Sequence, residues 1–260
     1  MPNSTVHPLA PQSAFLHPAA FVALQRCWHV FPVLNDPTLK KKIPAFSARS
    51  TNGKRWGASD DPAFITKLFA RHYARHGTEA HIGVACGPES GMWVMDIDTV
   101  KGHGAGNDGH ASLAALVANY GPLPTTLTSI SPSGGEHYHF RYPTDGRKVV
   151  SRKLLDERGN KIEGIDVKGE GGYVVTVPSK GRAWRDGDAP IVEGPPWLLD
   201  LVCERSEHVA KVRASRRQLG SGKPVELRRR WRWERPDIAP HAHFGDREQL
   251  FHSMVSARFI

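Results

Sequence analysis

The 260-residue chain is poor in cysteine, in long apolar runs and in acidic charge, and each shortage excludes something. Three cysteines, Cys27, Cys86 and Cys203, are too few for a disulfide framework or a four-cysteine zinc site within one chain. No apolar run approaches the roughly twenty residues that a membrane helix needs. The opening residues, MPNSTVHPLAPQS, carry neither the basic start nor the apolar stretch of a secretory signal, so a cytoplasmic protein without a membrane partner is expected. What is present, 39% hydrophobic and 23% charged residues, is a globular composition able to bury a sizeable core.

Basic residues outnumber acidic ones, 35 to 26, and unevenly. Residues 204–260 hold 13 basic and 7 acidic side chains, leaving 22 and 19 for residues 1–203. The body is nearly balanced and the tail is basic, which permits a polyanionic partner. Beyond Cys203 no helical or strand period is sustained, so a folded domain is assigned to 1–203 and a basic, poorly ordered tail to 204–260. RRRWRW in that tail mixes cations with aromatics as a single-strand surface does, a composition an unstructured tail shares.

Within the domain, residues 14–27 have helix-like spacing interrupted by Pro18, and WHVFPV reads as a strand. A polar stretch over 34–62 ends in ASDDP, which caps a helix at 63–76. HIGVAC and MWVMDID are strands separated by GPESG, and GHASLAALVANYG is a helix closed by Gly121 and Pro122. Strands follow around TLTSIS, HYHFRY, IEGIDVK and YVVTVP, then a short helix at PPWLLDLVC.

Side chains alternate across a strand, so each strand resolves into two faces. MWVMDID sets Trp93, Met95 and Ile97 against Val94, Asp96 and Asp98; HYHFRY sets Tyr138, Phe140 and Tyr142 against His137, His139 and Arg141. GIDVK sets Ile165 and Val167 against Asp166 and Lys168. If these strands are neighbours, three carboxylates converge beside imidazole and cationic groups. Carboxylate oxygens suit magnesium or manganese, and such a centre performs phosphoryl or nucleotidyl transfer; a solvated sheet face has similar alternation. SPSGGEH and KGEGGY place glycines beside two of these strands, where main-chain N–H groups face an anion or glycine simply makes a tight turn.

MWVMDID, SPSGGEHYHF and GIDVKGEGGYVVTVPS, in this order and with flanks such as LKKKIP, HIGVACG and PSK, resemble the motifs of the bifunctional DNA primase/polymerase N-terminal (Prim-Pol) domain of the archaeo-eukaryotic primase superfamily. The resemblance spans roughly residues 20–200. It implies an α+β, two-lobed fold with an RNA-recognition-motif-like catalytic sheet, residues 1–203 being the catalytic domain. Implied roles are metal binding by Asp96, Asp98 and Asp166 with Mg2+ or Mn2+, and phosphate contact by His137 on the small-x-His motif Gly135-Glu136-His137. Ser133, Gly134, Gly135 and Lys168 are implied nucleotide contacts, and His139 is left to packing behind them. Lys41 and Lys42 are assigned to a solvated loop, with phosphate contact as the alternative. The implied activity is template-directed synthesis on single-stranded DNA from nucleoside triphosphates, in plasmid, phage or mobile-element replication. No Walker motif is present, so unwinding is expected from a separate replicative helicase. A metal-dependent nuclease and a catalytically silent nucleic-acid-binding remnant stay open. Neutralising Asp96 or Asp166 is expected to abolish activity and, by relieving repulsion, to spare or raise stability.

GAGNDG at 104–109 satisfies a dinucleotide-binding pattern, but the acids before it would repel a pyrophosphate and no acid follows about twenty residues on, so it reads as a loop. GSGK at 220–223 lacks the flanking residues of a phosphate loop. HYH and HAH lack a third ligand at zinc-like spacing.

Overall fold

The computed structural model describes residues 16–36 and 41–203. These fall within one compact unit, and the expectations for 204–260 lie outside the described residues. Among the described residues no helix is long and apolar enough to cross a membrane.

The architecture is α+β, with two antiparallel sheets. Pro18, read from the sequence as an interruption, instead opens α1 (Pro18–Arg26), because proline's missing N–H costs nothing in a first turn; His17 Nδ1 accepts from the Ala19 N–H at 3.1 Å. Next come β1 (Val30–Asp36) and β2 (Lys41–Pro44), which pair antiparallel. KKIP, expected in a polar loop, is thus an edge strand. In α2 (Pro62–His76) the Asp61 carboxylate accepts from the N–H groups of Ala63 and Phe64, and left-handed Gly77 ends the helix. With β3 (His81–Ala85) and β9 (Tyr173–Val175), β1 and β2 form a four-stranded sheet ordered β2-β1-β3-β9.

Six strands form the second sheet: β4 (Met92–Ile97), β5 (Thr128–Ile130), β6 (Glu136–Arg141), β7 (Arg152–Leu155), β8 (Lys161–Lys168) and β10 (Ala183–Asp186). Their order is β10-β5-β6-β4-β8-β7, so the three strands singled out from the sequence are neighbours at the sheet's centre. The helices α3 (Val100–His103) and α4 (Gly109–Tyr120) follow β4, GAGNDG being the connection between them, and α5 (Pro196–Val202) closes the described region.

Both faces of the second sheet are covered. Trp93, Met95, Ile97, Phe140, Ile165 and Val167 pack with Leu113 and Leu116 of α4 and Leu198 and Val202 of α5. On the opposite face Met92 and Val94 pack with Leu127, with Ala19, Ala20 and Ala23 of α1, and with Val84 and Val174 of the first sheet. The polar side of β4 is therefore sealed along half its length, and only the end that carries the acids is open. Its partner His139 is fully buried, stacked on Trp28 at 5.7 Å, which agrees with the packing role read for it.

Candidate active site

Strand register builds the site. Asp96 stands opposite His137 on β6 and opposite Asp166 on β8; Ser129 on β5 continues the row beyond His137, and Lys153 on β7 continues it beyond Asp166. Cross-strand partners point to the same face, so the row Lys153, Asp166, Asp96, His137, Ser129 follows from the pairing alone. Asp98 lies just past β4, its N–H donating to the Gly164 carbonyl at 2.7 Å and its carbonyl accepting from the Gly109 N–H at 3.0 Å.

Cations sit between the acids. Lys168 Nζ lies 2.7 Å from Asp166 Oδ2 and 3.5 Å from Asp96 Oδ2. Lys153 Nζ lies 2.5 Å from Asp166 Oδ1 and 3.8 Å from Asp98 Oδ2. His137 Nε2 lies 3.2 Å from Asp96 Oδ1, and His103 Nε2 lies 3.0 Å from Asp98 Oδ1. Each ammonium bridges a pair of carboxylates, the place a cation bound by oxygen ligands would take. Among the described residues no three His, Cys, Asp or Glu side chains gather as a single ligand cluster; the acids present themselves as two bridged pairs.

The acids differ in their electrostatics. Burial would raise the Asp96 carboxyl, but His137, Lys168 and Arg182 overcome it and hold the group well below the usual carboxylate range. Asp98 goes the other way, raised by burial and by the charge of Asp96, with Asp166 adding to the repulsion. Neutralising Asp96 therefore strips a counter-charge from Lys168 and Arg182 and a carboxylate partner from His137 instead of relieving repulsion. The expectation of a neutral or stabilising Asp96 variant is corrected on that ground, and of Asp96 and Asp98 it is Asp98 whose repulsion is only partly offset, by His103 and Lys153.

A second cluster lies beside His137. Arg182 Nη1 stands 3.4 Å from both ring nitrogens of His137. Burial lowers Arg182 while Asp96 supports its charge. Lys42 is lowered by burial and then by Arg182; His81 is lowered by burial and then by Lys42, Arg182 and Lys180. Lys42, expected in a solvated loop, thus stands on β2 within the field of Arg182 and Asp96, one of several cations that crowd together and have unspent affinity for an anion.

The glycine turns have steric work. A β-carbon on Gly135 would lie 2.6 Å from the Ile97 carbonyl oxygen, so glycine lets β6 run close beside β4 and brings His137 to Asp96. The Gly134 N–H donates to the Ser131 carbonyl at 2.9 Å, and the Ser133 carbonyl accepts from Thr99 Oγ1 at 2.9 Å, which ties the turn to the segment after Asp98. In the second turn the Gly172 N–H donates to the Gly169 carbonyl at 2.9 Å.

The structure thus brings together Asp96, Asp98, Asp166, His137 and Lys168, with Ser133, Gly134 and Gly135 in the adjoining turn. Sequence reasoning missed Lys153, His103, Arg182 and His81. Lys153 lies on an edge strand with no alternation to betray it, and Arg182 follows β9 in a loop; only the pairing register and the chain path place them. A search among curated proteins gave no match. The profile of the bifunctional DNA primase/polymerase N-terminal (Prim-Pol) domain matches residues 20–197, and the chain belongs to that family.

Proposed function

We propose that the acid row is the centre of a metal-dependent primase/polymerase that adds nucleotides to a strand on a single-stranded DNA template. Family membership points to a nucleotidyltransferase-type enzyme with DNA and nucleotides as substrates. The observation that carries the finer reading is the pairing of carboxylates about Lys168 and Lys153 on one open sheet end. An all-oxygen donor set, with ammonium groups standing where cations belong and Asp98 under repulsion, fits Mg2+ or Mn2+ held by Asp96, Asp98 and Asp166. Such an ion, when bound, neutralises phosphate charge and favours attack by the primer hydroxyl.

The chain's own residues do the rest. Arg182, Lys42 and His137 draw in the triphosphate and offset its charge. Lys168 neutralises the Asp96–Asp166 pair before substrate arrives and donates to phosphate once displaced from it. Ser133 and the Gly134–Gly135 turn fix the position of His137 and border the same phosphates. The six-stranded sheet with α4 against one face is the counterpart of the RNA-recognition-motif-like catalytic half of a two-lobed primase fold. A separate helicase supplies unwinding, in replication of a plasmid, phage or mobile element.

Labelled-nucleotide incorporation on single-stranded template with Mg2+ or Mn2+, beside an Asp96→Ala/Asp98→Ala control, tests this. Metal-dependent product absent from the control is expected. Metal-dependent template cleavage would instead make the row a nuclease, and binding with neither reaction would make it a silent remnant.

A further inference from the structure

Beside the four-stranded sheet a cavity of about 150 Å3 is lined by His29, Arg55, Trp56, Cys86, Glu89 and Gly172. Trp56 adopts a left-handed backbone, φ 58° and ψ 2°, a costly conformation for a bulky side chain that persists only where surroundings impose it. Its ring is wedged 5.1 Å from Phe31 and 4.9 Å from Tyr173, and the Arg55 guanidinium lies over it at 4.2 Å. One Arg55 nitrogen donates to the Gly171 carbonyl at 2.9 Å, and among the described residues no carboxylate pairs with this guanidinium. His29 Nδ1 is buried without a hydrogen-bond partner.

This cavity adjoins the acid row. Gly171 and Gly172 belong to the turn that follows Lys168, and the Gly172 carbonyl accepts from the Cys86 N–H at 3.0 Å. Tyr173, which packs on Trp56, donates its hydroxyl to the Lys42 carbonyl at 2.6 Å. The Cys86 thiol, pushed up by burial, also feels the charges of Lys168 and Asp96.

An aromatic and guanidinium stack, an unpaired imidazole nitrogen and a carboxylate match a flat heteroaromatic ring with donors and acceptors on its edge. The volume is well under the roughly 300 Å3 at which pockets for drug-sized ligands begin, so it suits a ring and not a whole nucleotide. We propose that this cavity takes one nucleobase, stacked on the Trp56–Arg55 pair with its edge toward His29 and Glu89, and so holds a base beside the acids. The assignment rests on the nucleotidyl-transfer reading of the row. The base belongs either to the template strand or to the incoming nucleotide.

The test uses the full chain without divalent metal, so that no turnover occurs, and reads fluorescence anisotropy. One arm compares a single-stranded thymidine oligonucleotide with an abasic strand of the same length; the other measures affinity for a deoxynucleoside triphosphate. Variants are Trp56→Gly, which removes the ring and suits the left-handed backbone, and Arg55→Ala at an exposed position, each checked by thermal melting. A template base in the cavity predicts that wild type prefers the base-bearing strand roughly tenfold and that both variants lose the preference. An incoming base predicts equal strand binding and roughly tenfold weaker triphosphate binding in both variants. The proposal is overturned if both variants match wild type in both arms, or if Arg55→Ala weakens intact and abasic strands equally while triphosphate affinity is unchanged. A chain that shows the predicted base dependence yet incorporates nothing would sink the polymerase reading and uphold this site; incorporation with unaltered binding by both variants would do the reverse.

Discussion

Gly109 and Gly164 meet main chain to main chain: a β-carbon on Gly109 would lie 2.3 Å from the Gly164 carbonyl oxygen, and one on Gly164 2.3 Å from the Gly109 nitrogen. The same two residues hold Asp98, one accepting from its N–H and the other donating to its carbonyl. Contact between the start of α4 and β8 therefore fixes the acid farthest from the strand centre.

Gly109→Ala consequently reverses an ordinary trend. In an exposed helix interior the change would stabilise by about 1 kcal/mol; here it is expected to destabilise by roughly 2 kcal/mol and to depress activity through Asp98. Thermal melting and incorporation rate check both, and a raised melting temperature would contradict the packing argument.

Asp96→Asn is expected to abolish incorporation and also to lower stability, on the order of 2 kcal/mol, because Lys168 and Arg182 lose a counter-charge and His137 loses its carboxylate partner. Asp98→Asn is expected to lose activity while keeping or gaining stability, since burial and then the charge of Asp96 oppose its ionised form. Denaturant unfolding of the two variants side by side reads the difference, and equal effects would argue against it.

Stability should fall on mild acidification through His139. Burial lowers this imidazole to about 3, below its ordinary 6.5, so the unfolded chain binds a proton that the folded chain refuses. Its contribution is complete above about pH 6.5 and is lost as pH drops toward 3, by about 1 kcal/mol per pH unit. In His139→Gln the slope over this window should flatten in denaturant titrations; an unchanged slope would mean that other groups carry it.

For Arg182→Ala the expected change is in nucleotide KM, roughly tenfold or more upward, with a smaller effect on template affinity. Steady-state kinetics with each substrate varied in turn separates the two, and a selective loss of template binding would move Arg182 out of the triphosphate site.

The central strands were legible because they alternate cleanly. In MWVMDID and HYHFRY one face is aromatic or aliphatic throughout, and the opposite face declares itself by charge. Illegible were β2, β7 and β10, whose sequences KKIP, RKLL and AWRD are short, polar and at or near sheet edges, where one-sided burial leaves no strict period. Lys153 was missed with β7, and Lys42 was assigned to a loop with β2. The sealed half of the polar face was also hidden, because Val94 and His139 alternate in phase with Asp96 and His137 although Val84 and Val174 of the first sheet pack on Val94, and Trp28 stacks on His139. Local pattern reports which residues share a face; what lies over that face is decided by distant chain.

Binding of Mn2+, followed by water-proton relaxation in wild type and in Asp96→Asn and Asp166→Asn, tests the central claim most directly. A site in wild type that each variant weakens by tenfold or more is the predicted result. Equal Mn2+ binding by all three proteins, or none by wild type with or without nucleotide, would contradict the assignment of the acid row as a metal centre.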